Sequence, residues 1–279
     1  MATIPQCPAR STKLMRKAVL PLFAGGTLAL CVLASAIVWS ASERNSGSQH
    51  IDLADSTTAR DPALKLSPAS TPGALMLTRE ASESVRRATV FVHATIGGED
   101  YSGSGFIVKS LGDEIYIVTS RHVVSDEESG QSSVGPEVKV DIMFHPGMPG
   151  ERLIANVEIV TVDEESDLAV LRVIASAQLP TPLEPADERS LAEGMSAYLF
   201  GFPGGVQKIT VNKVSVSQLR WDDHNTICDI QLNGDLKPGD SGGPVVDGNG
   251  RVIGVAVSTL IGKNVGWAAP VSKLKRLLP

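Results

Sequence analysis

From about residue 78 onward, apolar and β-branched residues come in short runs broken by glycine, asparagine, aspartate and proline. Runs of that length and composition read as strands. A first series covers 88–96, 105–108, 115–119, 138–144, 153–162 and 168–174. A proline-rich break follows at 179–185. A second series covers 195–201, 208–219, 226–232, 244–246, 252–258 and 265–269. Residues 78–87 predict a short helix with Thr78 as its N-cap. At the end of the chain, Val271, Leu274, Lys275 and Leu278 follow helical spacing, so 271–278 predicts a closing helix. Two sets of about six strands predict an all-β fold of two six-stranded antiparallel barrels, about residues 88–178 and 186–270. Clefts between such units commonly hold sites.

The N-terminal pattern is different. Residues 18–39 are 22 positions without a charged side chain, preceded by Arg10, Lys13, Arg16 and Lys17. As a helix they would span roughly 33 Å, one hydrocarbon core. The basic flank predicts that residues 1–17 stay in the cytoplasm. The expectation is one transmembrane signal anchor at 18–39, a flexible linker at 40–77 rich in Ser, Ala, Thr, Asp and Pro, and a folded domain at 78–279 outside the cytoplasm, periplasmic or at the cell surface. The alternative is secretion after cleavage near Ala34-Ser35-Ala36.

Charge and cysteine narrow the function class. The first 17 residues hold four basic residues and no acid, leaving 21 basic against 31 acidic residues in the rest. An acidic domain without a basic stripe argues against nucleic-acid binding. Of Cys7, Cys31 and Cys228, only Cys228 falls in the folded region, so no internal disulfide is expected there. No Cys/His spacing suggests a metal.

Three stretches carry candidate chemistry. In Thr119-Ser120-Arg121-His122-Val123-Val124 a strand runs into a histidine. In Asp163-Glu164-Glu165-Ser166-Asp167-Leu168 an acid stands at the threshold of an apolar strand. In Pro238-Gly239-Asp240-Ser241-Gly242-Gly243-Pro244 a serine lies between glycines in a turn feeding a strand. A serine hydroxyl attacks only when a base takes its proton, and imidazole suits that task. The imidazole needs a carboxylate on its other nitrogen, and the developing oxyanion needs convergent N–H donors. Ser241 thus reads as nucleophile, His122 as general base, Asp167 as its orienting acid, and the Gly239 and Ser241 amides as the oxyanion hole. An α/β-hydrolase elbow is excluded, because no histidine follows Ser241.

These three blocks, in the order His, Asp, Ser, resemble the signature blocks of trypsin-like peptidases of the HtrA (Deg) type. Tyr101-Ser102-Gly103-Ser104-Gly105-Phe106 resembles that family's glycine-serine-glycine strand, and Tyr198–Pro203 and Val265–Pro270 its later blocks. The resemblance covers about residues 78–279. It implies a double barrel, endopeptidase activity on protein or peptide substrates, no cofactor, and trimers of the kind its members form. It also implies an Asn at the position of Asp240, where trypsins have Asp, and a PDZ domain that is not expected here. By its offset from Ser241, Asp235 is a candidate for the base of the pocket that receives the residue before the cleaved bond. Segment 256–260, with Ser258 and Thr259, is the candidate strand for substrate backbone. A protease fold that binds without turnover is the rival reading.

Overall fold

In this computed structural model, residues 76–125, 138–145, 150–155, 157–174, 179–260 and 263–279 are described. The predicted anchor at 18–39 and the linker up to residue 75 lie outside them. Among the described residues no helix is long and apolar enough to cross a membrane.

The first helix, α1 (Arg79–Ala88), starts as expected: Thr78 is its N-cap and accepts from the Ala81 amide. Then come β1 (Thr89–Ile96), β2 (Glu99–Leu111) and β3 (Glu114–Ser120). The one-turn helix α2 (Arg121–Val124) follows. The half closes with β4 (Val138–Phe144), β5 (Arg152–Ile154), β6 (Glu158–Asp163) and β7 (Leu168–Ile174). Strand β2 begins six residues before its predicted start. Gly97 and Gly98, both at positive φ, form a two-residue loop that pairs Ile96 with Glu99 and zips the polar stretch after it onto β1.

The first half is not a closed barrel. Its seven strands form an open sheet in the order β5-β4-β1-β2-β3-β7-β6. The predicted strand 153–162 breaks in two, and its pieces become the two edges. The edges still approach one another, because Val157, just ahead of β6, donates to the Val140 carbonyl of β4. Inside this sheet lie Val90, Val92, Ile107, Ile117, Ile142, Phe144 and Leu171.

The second half does close. Its strands are β8 (Ser196–Gly201), β9 (Thr210–Trp221), β10 (Ile227–Asn233), β11 (Pro244–Val246), β12 (Val252–Leu260) and β13 (Val265–Pro270). They form a barrel in the order β10-β13-β12-β11-β8-β9. Helix α3 (Val271–Leu277) follows β13. A separate buried cluster joins the halves: Phe106, Val118 and Leu168 of the first pack with Val246, Val255 and Val257 of the second. Cys228 is buried on β10.

Candidate active site

His122 sits where β3 ends. Val123 and Val124, buried next to it, pin the single turn of α2 into the first core and leave the imidazole half-buried at the surface. Asp167 reaches it from the turn before β7. Its Oδ2 lies 2.7 Å from His122 Nδ1, and its Oδ1 accepts from the His122 amide at 3.1 Å. A carboxylate only accepts, so Nδ1 is the donor and carries the proton of the neutral ring. That leaves Nε2 as the basic nitrogen. The Asp167 backbone is also engaged, its carbonyl accepting from the Arg121 amide at 2.9 Å. Asp167 adopts φ 56°, a left-handed conformation uncommon outside glycine. The turn before it is braced: Asp163 accepts from the Glu165 amide and from the Ser166 hydroxyl.

The serine turn is tied to the histidine strand by one atom. The Ala256 carbonyl of β12 accepts from Ser120 Oγ at 3.0 Å and from the Gly242 amide at 2.6 Å. Ser120 precedes His122, and Gly242 follows Ser241. The segments carrying His122 and Ser241, 119 positions apart in sequence, are therefore anchored at a common point. Gly242 itself is at φ +85°, and a Cβ there would collide with the Ser104 carbonyl and Thr119 Oγ1. Only glycine permits this approach of turn to strand.

The backbone around Ser241 has a definite polarity. Four successive carbonyls are all engaged: Pro238 by the Gly204 amide at 2.7 Å, Gly239 by Ser104 Oγ at 2.7 Å, Asp240 by the Gly243 amide at 2.9 Å, and Ser241 by the Ser104 amide at 2.8 Å. The Asp240 amide donates to Lys237 O at 3.0 Å. Among the described residues, the amides of Gly239 and Ser241 have no acceptor, and Ser241 Oγ makes no hydrogen bond. An oxyanion requires uncommitted N–H donors, and these two amides are uncommitted.

Asp240 is buried, at 2 % exposure. Its Oδ2 accepts from the Lys237 amide at 2.9 Å, while Oδ1 has no partner among the described residues. Burial pushes its carboxyl up to about 6, against a smaller downward pull from the Lys237 amide.

The remaining predicted residues fall into place unevenly. Asp235 is not at the base of a pocket: its side chain is 63 % exposed and paired with Lys237 Nζ at 2.8 Å. The turn instead sends Leu236 inward, against Gly266. Ser258 Oγ is buried without a partner among the described residues. Thr259 Oγ1 lies 3.2 Å from Val265 O and 3.4 Å from Leu236 O, so it serves the local fold. Strand β12 is flanked by β11 only as far as Val255. Beyond Ala256 it pairs, among the described residues, with β13 alone, leaving an open edge beside Ser241. Among the described residues no group of three His, Cys, Asp or Glu is placed to hold a metal. Sequence reasoning singled out neither Ser104 nor the Ala256 carbonyl as part of the site. The signal for Ser104 was present, a serine between two glycines in a strand.

The trypsin-like peptidase domain family matches residues 103–255. A serine protease HtrA-like of Staphylococcus aureus strain bovine RF122 is 28% identical over 197 residues, which is 64% of this chain and 23% of that protein. The HtrA-like protein of strain USA300 is 29% identical over 194 residues, with the same shares. The chain thus spans about a quarter of the length of these curated relatives. Among solved structures, that of Deg5 is 25% identical, with a TM-score of 0.57 over 71% of this chain and 90% of that one. The Rv3671c protease from M. tuberculosis in its active form shares the fold, at 22% identity, a TM-score of 0.55, and 71% and 82% coverage. The family match spans more than half of the sequence and includes His122, Asp167 and Ser241, and the chain belongs to the trypsin-like peptidase domain family.

Proposed function

We propose that this protein is a serine endopeptidase of the HtrA kind, with His122, Asp167 and Ser241 as its triad. The Ala256 carbonyl carries the reading, because it fixes Ser120, two residues before the base, and Gly242, the residue after the nucleophile, to one atom. Ser241 Oγ attacks the scissile carbonyl while His122 Nε2 takes its proton, and the carbonyl electrons move onto oxygen. The Gly239 and Ser241 amides receive that oxyanion. Asp167 holds the imidazole and stabilises its cation. The C–N bond then breaks, the leaving amine takes the proton from His122, and water repeats the sequence on the acyl-enzyme. Substrate backbone lies along the open edge of β12, as an added strand.

The free Ser241 hydroxyl favours the rival reading of a silent binding module, although such bonds often tighten only when substrate is present. Fluorophosphonate labelling separates the two. Wild-type protein is expected to label and to lose the label in Ser241→Ala. His122→Ala and Ser241→Ala abolish most peptide turnover, and Asp167→Asn costs about 10⁴-fold in kcat through loss of the productive tautomer. Normal turnover in any of the three variants would refute the triad.

The same proposal places the domain outside the cytoplasm, held by residues 18–39. Its support is the uncharged run and the four basic residues before it. Alkaline carbonate extraction of membranes tests this: the protein stays in the pellet if anchored, and release of full activity into the supernatant contradicts the anchor.

A further inference from the structure

We propose that Ser104, in the open first sheet, is a positioning residue that sets the oxyanion turn of the barrel. The inference rests on the protease reading above and adds a residue to it. Ser104 is fully buried and uses all its polar atoms. Its amide donates to Ser241 O at 2.8 Å, and its hydroxyl donates to Gly239 O at 2.7 Å. That hydroxyl also accepts from the Phe202 amide at 3.0 Å, and its carbonyl accepts from Thr119 Oγ1 at 2.7 Å.

The consequence follows from peptide geometry. In a trans peptide, N–H and C=O point in opposite directions, so fixing a carbonyl aims the amide of the same plane. The oxyanion amides belong to the peptides 238–239 and 240–241. Between them lies the peptide 239–240, sharing one Cα with each, and its carbonyl is the one Ser104 Oγ holds. Rotation of that middle peptide would turn both amides away from a common point. Gly239 is at φ +97° and has no side chain to resist rotation, so this peptide is held at its two ends, by the Asp240 amide on Lys237 O within the turn and by the Ser104 hydroxyl on Gly239 O from outside it.

Ser104 also acts on the first amide by a second route. Its hydroxyl holds Phe202 at the entry of the turn whose Gly204 amide, 2.7 Å from Pro238 O, fixes the peptide 238–239. Of the four engaged carbonyls from 238 to 241, Ser104 therefore binds two directly and supports a third. The flanking glycines make this possible. A Cβ at Gly103 would lie 3.0 Å from Ser241 O, and one at Gly105 would lie 2.9 Å from Val118 O. The strand passes close enough for a short hydroxyl to reach the turn.

The experiment compares Ser104→Ala and Ser104→Cys with wild type and Ser241→Ala on a chromogenic peptide, at a temperature where circular dichroism shows each folded. For Ser104→Ala, kcat falls about 100-fold while KM stays within about threefold, the pattern of a lost oxyanion donor. The inhibition constant of a peptide aldehyde, whose adduct carries the oxyanion, rises in proportion to the loss in kcat/KM. Binding of the uncleaved peptide to Ser104→Ala/Ser241→Ala matches binding to Ser241→Ala. Ser104→Cys, with a weaker donor of similar size, lies between Ala and wild type. An unchanged kcat in Ser104→Ala, or a raised KM with kcat intact, overturns the proposal. If Ser104→Ala does not fold, the cysteine variant decides alone, and a wild-type kcat there overturns it. Activity surviving in Ser241→Ala would defeat the protease reading itself, a result separate from the fate of Ser104.

Discussion

At Asp240, burial and charge pull against each other. Its carboxyl titrates at about 6 in the folded protein against an ordinary 3.8. The folded state thus holds this proton more tightly than the unfolded chain does. Stability from this group is full below about pH 4, is lost as pH rises towards 6, and stays lost above. The difference of about two pKa units corresponds to about 3 kcal/mol. Asp240→Asn removes the buried charge and keeps an oxygen for the Lys237 amide. Its thermal midpoint is expected above wild type at pH 8, with a flatter slope between pH 4 and 7, and parallel curves for the two proteins would refute this. The three candidate triad residues stood out in the sequence because each lies in a distinctive local setting. Asp235 was misleading, because an offset along the chain does not say which way a turn faces, and apolar Leu236 takes the inward position. Asp235→Ala is therefore expected to leave the ratio of cleavage after Arg and after Val unchanged, measured with chromogenic peptides. A large loss confined to the Arg substrate would restore Asp235 to the pocket.

Among the elements, the strands with continuous apolar runs were readable to within two residues, because burial on both faces leaves no other place for such runs. Polar stretches were not: β2 extends to Glu99 through cross-strand pairing that its composition does not announce. Position 155 divides the predicted strand 153–162, which took an apolar run as proof of continuity. The closing helix was legible, but its reach into the site was not. Lys273 of α3 is buried, and its Nζ lies 3.2 Å from Glu165 Oε1, in the turn that presents Asp167. Removing the half-exposed partner strands the buried ammonium, whereas removing the ammonium returns a carboxylate to water. Glu165→Gln is expected to lower stability by about 1–3 kcal/mol, and Lys273→Met by less, in urea unfolding. The reverse order would mean that Lys273 is held by its packing and not by the ion pair.

For the whole molecule, the chain order of His, Asp and Ser and the break near residue 180 announced two halves with a site between them. Only one half closes into a barrel, since closure depends on edge pairing that no run of sequence encodes. The sequence also gave no sign of how far the halves share their interior. Phe106, Val118 and Leu168 come from the open sheet, and Val246, Val255 and Val257 from the barrel, yet they form one buried cluster together with Val85 of α1 and Leu274 of α3. Two units that share a core lose packing on both sides when either opens, so they are expected to unfold in one cooperative transition. Of the three tryptophans, Trp221 and Trp267 lie on barrel strands, and in a Trp39→Phe background they alone report on that half. Phe106, fully buried in the other half, is the probe position. Phe106→Ala costs about 3–5 kcal/mol. It should move the tryptophan fluorescence transition of the barrel as far as the far-ultraviolet circular dichroism transition of the whole chain. A fluorescence midpoint that stays in place while circular dichroism shifts would show that the halves unfold separately, and that the shared cluster joins them without coupling them.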